Sequence, residues 1–206
     1  IHRRTGVRSH EAVALGSLAA LYAETGRAAE AEPLARRVLA IFRELGARRD
    51  EGLSLGMLSN VELALGRRED AERSLLAALA VHRDVTNRRG EGNAILNLAI
   101  LYQQTGRFDE AERAGNEALA LFRALADRRH EAVVLGNLAA LYLETGRFDE
   151  AAPAFDRALE VHRAVSNPYF EGVHLCNRAC LRVITGRHDE ARRDYASGMR
   201  LLRKLG

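Results

Sequence analysis

Residues 131–155 read EAVVLGNLAALYLETGRFDEAAPAF, and this stretch decides the fold. It returns, altered, at 11–35, 51–75, 91–115 and 171–195. Three landmarks hold a constant interval of 40 residues: Glu11, Glu51, Glu91, Glu131 and Glu171; Gly26, Gly66, Gly106, Gly146 and Gly186; and Ala31, Ala71, Ala111, Ala151 and Ala191. No insertion breaks the register. A period of about 20–50 residues marks a stacked array of small supersecondary units. Each unit then buries its apolar face only against its neighbours, and there is no single central core.

Within one copy the apolar residues follow a helical period. Val13, Leu15, Leu18, Ala19, Leu21 and Tyr22 recur at spacings of three and four, which predicts a helix over 11–25. Gly26 ends it, because glycine accepts the left-handed conformation that helix termini often need. A second helix is expected from about 28 to 45, with Ala31, Leu34, Val38, Leu39 and Phe42 inward and Pro33 near its start, where a missing N–H costs least. So short a turn makes the two helices an antiparallel hairpin. The same plan predicts helices at 49–65 and 68–86, 89–105 and 108–126, 129–145 and 148–166, and a last hairpin over 170–206. Five repeats follow, 11–50, 51–90, 91–130, 131–170 and 171–206. Residues 1–10 are expected to end the second helix of a preceding repeat, since Ile1, His2 and Arg3 stand in register with Val161, His162 and Arg163. The chain reads as a piece of a longer array.

The bulk numbers fit an ordered protein: 47% hydrophobic and 29% charged residues among 206. No apolar run reaches the roughly 18 residues of a membrane span. Net charge is +3, with the excess at the ends: residues 1–10 carry +3 and the last repeat +4. A nucleic-acid footprint needs a basic face that tracks the phosphates, so neither nucleic acid nor membrane is an expected partner. In the last repeat Arg178 and Arg182 stand where the preceding one has Leu138 and Tyr142. Terminal units of arrays need a polar outer face, so this repeat reads as a cap. A basic docking patch for an acidic partner is the alternative.

The run Leu135-x2-Leu138-Ala139-x2-Tyr142, followed by Ala151-x3-Phe155, resembles the tetratricopeptide signature W-x2-L-G-x2-Y…A-x3-F. Leu or Ile replaces the Trp throughout, and the period is 40 where the standard unit has about 34. The longer form looks most like the repeats of kinesin light chains and LGN-type adaptors, and like arrays in bacterial signalling proteins. The resemblance implies an all-α, right-handed solenoid of helical hairpins in a cytoplasmic protein. It also implies a concave face, lined by the first helix of each hairpin, that binds an extended peptide or a helix.

Carrying the family's slots over places Gly16, Ser17, Glu24, Gly56, Asn60, Asn97, Gln103, Gln104, Gly136, Asn137, Glu144 and Asn177 in that groove. Asn97, Asn137 and Asn177 share one slot. An amide is both donor and acceptor, so a row of them can pair with a peptide backbone; alternatively each bridges helix ends inside the array. Gly16, Gly56 and Gly136 share another slot, and a glycine inside a helix costs about 1 kcal/mol against alanine. Something must come close there, either a ligand backbone or the neighbouring helix. The family's grip on peptide C-termini needs basic groove residues, which these slots lack.

Nothing in the chain predicts catalysis, a cofactor or a metal. Cys176 and Cys180 lie one turn apart, yet two ligands do not make a closed zinc site, and they read as small groove or core residues. His82 and His162 take the slot of Phe42 and Phe122 and read as packing residues. The Arg pairs at 48–49, 88–89 and 128–129, each near a Glu, read as solvated edges or inter-repeat ion pairs of about 0–1 kcal/mol each. The expected function is non-enzymatic protein–protein interaction within a larger regulatory protein. Self-association of end faces into a homo-oligomer and small-ligand sensing in a bacterial regulator are the alternatives.

Overall fold

The structure, a computed structural model, describes residues 2–205, with side chains from 7 to 205. Ten helices and no strand occur among the described residues: α1 (His2–Glu24), α2 (Ala28–Glu44), α3 (Arg48–Ala64), α4 (Arg68–Asp84), α5 (Arg88–Gln104), α6 (Phe108–Ala124), α7 (Arg128–Glu144), α8 (Phe148–Ala164), α9 (Pro168–Ile184) and α10 (His188–Arg203). The fold class is an all-α solenoid of helical hairpins. The chain divides into two compact units, 1–101 and 102–206. In the first, α1 packs on α2 and α3, α2 on α3, and α3 on α4. In the second, α7 packs on α6, α8 and α9, α8 on α9, and α9 on α10.

The turns explain the constant register. Nine times, the last residue of an interhelical turn donates its backbone N–H back to a carbonyl five residues earlier, as Arg147 does to Tyr142 at 2.8 Å and Asn167 to His162 at 2.9 Å. This closure requires a left-handed residue between them. Within hairpins that residue is always glycine, with φ near +75°. Between hairpins it is Gly46 once, but Thr86, Ala126 and Ser166 thereafter, at φ 54°, 52° and 50°. Sequence reading sees the first set and Gly46 and misses the other three, which are poor left-handed formers.

Each unit has its own interior. In the first, Ala31, Ala35 and Leu39 of α2 meet Leu55, Leu58 and Val61 of α3. In the second, Ala151 and Phe155 of α8 close over Ala139 of α7 and Leu181 of α9. Small alanines at fixed slots let helices approach, and larger neighbours fill the space between them.

One expectation needs correction. Pro33 is the sixth residue of α2, and Pro153 holds the same position in α8. That is past the first turn, so each removes one helical hydrogen bond; both prolines are exposed, and water can satisfy the freed carbonyl. At the N-terminus, α1 begins at His2. The reading of Ile1 lies outside the described residues.

Candidate functional site

In the first unit, Ser17, Glu24 and Asn60 are exposed, Asn97 and Gly56 are half-buried, and Gly16 is buried. Gly16 and Ser17 line a cavity of about 380 Å³ between α1, α2 and α3, with Leu53 and Met57 on its far wall and Asp50 at its edge. The Ser17 hydroxyl is engaged locally, donating to the Val13 carbonyl at 3.1 Å.

In the second unit, Asn137 of α7 and Asn177 of α9 are half-buried, Gln104 and Glu144 exposed. Gln103 donates its amide to Glu144 at 2.8 Å, which ties the end of α5 to the end of α7. Asn177 borders a cavity of about 430 Å³ on α9 and α10. Among the described residues, no hydrogen bond holds the side-chain amides of Asn137 and Asn177.

The three groove glycines have three different surroundings. A Cβ on Gly56 would meet nothing within 4 Å, and one on Gly16 would meet the Met57 methyl at 3.2 Å and a Val38 methyl at 4.0 Å. At Gly136 it would stand 1.9 Å from the His174 ring. At Gly136, then, it is a ring of the next hairpin that comes close, the second of the two readings of that slot.

The Arg pairs near a glutamate, read from sequence as solvated edges or inter-repeat ion pairs, do reach that glutamate through Arg48, Arg88 and Arg128; the glutamate's burial and its second arginine were not foreseen. Glu131 is buried and accepts from Arg123 at 3.1 Å and Arg128 at 2.6 Å. Glu51 takes Arg43 and Arg48, and Glu91 takes Arg83 and Arg88, in the same geometry. Each clamp joins the end of one hairpin to the start of the next. Burial tends to raise the Glu51 carboxyl, but its two guanidinium partners outweigh this and hold it below the ordinary range. The spacing Arg-x7-Glu, with Arg-x2-Glu inside it, was the available signal. The arginine after the hairpin glycine also stacks on an aromatic ring. Arg27, Arg107 and Arg147 lie 4.1–4.4 Å over the rings of Tyr22, Tyr102 and Tyr142.

His82 and His162 are interior residues, as the register implies. The His82 ring fills the space a side chain would need on Gly52 or Gly90. His162 Nε2 meets His174 Nδ1 at 3.1 Å, and burial lowers both histidines. Cys176 and Cys180 are free thiols, and burial pushes Cys176 up, away from the reactive thiolate. Among the described residues no three His, Cys, Asp or Glu side chains gather as metal ligands, and no helix is long and apolar enough to cross a membrane. In the last repeat Arg178 and Arg182 are not a free basic patch: both grip the buried Asp194, at 2.7 and 2.6 Å.

Repeated hairpins joined by buried Arg–Glu clamps, with polar side chains left on the odd-numbered helices, define an α-helical repeat protein, a fold typical of protein–protein interaction. The tetratricopeptide repeat profile matches residues 10–84, 50–124, 90–164 and 130–204. The chain belongs to the tetratricopeptide repeat family. No curated protein matches it. Among solved structures it is similar to BtubC (BKLC) from P. vanneervenii, at 21% identity over 99% of this chain and 91% of that one, with a TM-score of 0.78. It is similar also to a putative kinesin light chain from Podosopora anserina, at 18% identity over 96% and 97%, TM-score 0.71. A Rap protein complexed with Competence and Sporulation Factor shares 16% identity over 96% of this chain and 65% of that one, TM-score 0.75. At these identities the likeness is one of fold.

Proposed function

We propose that this chain is a non-enzymatic interaction module that holds an extended peptide or a helix along its odd-numbered helices, as a regulatory segment. The observation that carries this reading is the state of Asn137 and Asn177. Both residues are half-buried on successive first helices of the second unit, at the same slot, and neither amide is spent on a hydrogen bond among the described residues. Half-buried polar groups without internal partners are available to a ligand backbone, and pairing with it is independent of side-chain sequence. Gln103 and Glu144 add a polar edge beside them. The Rap protein crystallised with its factor supports the idea that a related fold can carry a partner of this kind.

A peptide-library screen on the chain tests this, repeated with Asn137→Ala and Asn177→Ala together. Each lost amide contact is worth about 1 kcal/mol, so binding should weaken about tenfold or more. Selected peptides that bind the double variant as well as the parent would refute the amide row, provided circular dichroism shows both equally helical.

A further inference from the structure

The second repeat departs from its neighbours at two slots that meet inside the first unit. Glu62 of α3 stands where three other copies have Tyr22, Tyr102 and Tyr142. Ser74 of α4 stands where the same copies have Leu34, Ala114 and Ala154. The Ser74 hydroxyl donates to Glu62 Oε2 at 2.7 Å. Among the described residues, the nearest cation to Glu62 Oε1 is Arg36 at 3.6 Å, beyond the reach of a hydrogen bond. Yet Glu62 is 2% exposed. Burial strips a carboxylate of water, so it needs charged partners in return. The buried Glu51, Glu91 and Glu131 each hold two arginines at 3.1 Å or less. Glu62 holds one neutral hydroxyl, and its second oxygen retains the capacity to accept.

That carboxylate lines a cavity of about 360 Å³ between α2, α3 and α4. Sites for small molecules measure about 300–1,000 Å³. Leu39, Leu55, Leu58 and Ala77 give this one an apolar wall, and Arg36, Arg43 and Arg73 bring cations to it. Each arginine already faces a carboxylate: Arg36 meets Glu32 at 2.9 Å, Arg43 meets Glu51 at 3.0 Å, and Arg73 meets Asp70. A guanidinium has five N–H donors, so each keeps some for a further acceptor. A simple cation would be repelled by three arginines here, and a simple anion by Glu62 and Asp70. An apolar molecule would leave Glu62 without a donor. A small zwitterion answers both signs, and in an α-amino acid the two charges flank one carbon, matching the 3.6 Å between Glu62 and Arg36.

We infer that this cavity binds a free α-amino acid with an aliphatic side chain. Its ammonium donates to Glu62, its carboxylate accepts from Arg36 and Arg73, and its side chain lies on the leucine wall. Bound there it bridges α2 and α4, helices of successive hairpins, and so stabilises the folded first unit. The site is separate from the amide row, which lies on α7 and α9.

Isothermal titration of the whole chain with free leucine tests this. Leucine should bind at one site per chain and raise the thermal midpoint. Isocaproate lacks the ammonium, leucinamide the carboxylate and glycine the side chain, so each should bind about tenfold or more weakly. Glu62→Tyr restores the residue of the other copies and should abolish binding, with circular dichroism reporting that the helices are kept. Glu62→Gln keeps the shape and should weaken binding about tenfold, which decides the matter if the tyrosine variant does not fold. The Asn137→Ala, Asn177→Ala double variant should bind leucine as the parent does. No binding of leucine, equal binding of leucine and isocaproate, or binding that survives both Glu62 variants would overturn the inference.

Discussion

The ring of His174 occupies the space that a side chain on residue 136 would need. A Cβ on Gly136 would lie 1.9 Å from His174 Cε1 and 2.2 Å from Nδ1, and His174 is only 1% exposed. The ring is held by His162 at 3.1 Å and flanked by Phe155 and Phe170. It has nowhere to retreat. Gly136→Ala should therefore lose about 3 kcal/mol of stability, the upper range for overpacking. Gly56→Ala, at the same slot with open space around it, should gain about 1 kcal/mol from helix propensity. Chemical denaturation of the two variants checks this, and a similar sign for both would show that the slot, not the ring, sets the requirement.

The same pair makes the second unit acid-sensitive. Burial, with the neighbouring His162, pushes His174 down to about 3. In the unfolded chain it titrates near the ordinary value of about 6.5. Between these values the unfolded state holds the extra proton. Stability is therefore complete above about pH 6.5 and falls as the pH drops toward 3. The slope should approach at most about 1.4 kcal/mol per pH unit for this group. Denaturation series from pH 7 to 4 should show it, and His174→Phe should flatten it. An unchanged slope would assign the acid loss elsewhere.

Ala126 sits at φ 52° in the turn between α6 and α7, at the slot where Gly46 has φ 64°. A left-handed alanine is strained by about 1–2 kcal/mol, partly offset by the greater unfolded-state freedom of glycine. Ala126→Gly should stabilise the chain by about 0.5–1 kcal/mol. A thermal melt reads this directly, and a lowered midpoint would contradict the turn geometry.

Glu131 holds two guanidinium groups while 3% exposed, so its truncation strands both arginines. Glu131→Ala should cost about 2 kcal/mol, in the range for hydrogen bonds to charged groups. Arg128→Ala, which leaves Arg123 in place, should cost less than half of that. Equal losses would mean that Arg128, and not the shared carboxylate, is the centre of the clamp.

Much of the architecture was legible because each rule involved is local. Gly146 marks a turn, Ala151 a close helix approach, and Leu138 to Leu141 an inward face, each at a 40-residue interval. The amide slot was legible for the same reason, since Asn137 and Asn177 repeat with the period. Gly136 was not. Its reason is the ring of His174, which belongs to the next hairpin, and no pattern within one hairpin separates it from Gly56. The pairing of Glu131 with Arg128 was open to sequence reading, but not its second partner Arg123, which belongs to the preceding hairpin.

The sequence by itself determined the number of hairpins, their register and the side of each helix that turns inward. A fixed period with glycine at the turns permits little else. Only the tertiary structure decided which polar side chains remain unspent: Ser17 bonds to its own helix, Gln103 to Glu144, Arg178 to Asp194, and the Asn137 and Asn177 amides to nothing among the described residues. It also decided that Arg192 faces outward at a slot where Glu112 faces an arginine. Hydrogen bonding and burial depend on which atoms from distant residues arrive within about 3 Å, and a one-dimensional repeat fixes spacing along the chain without fixing those meetings.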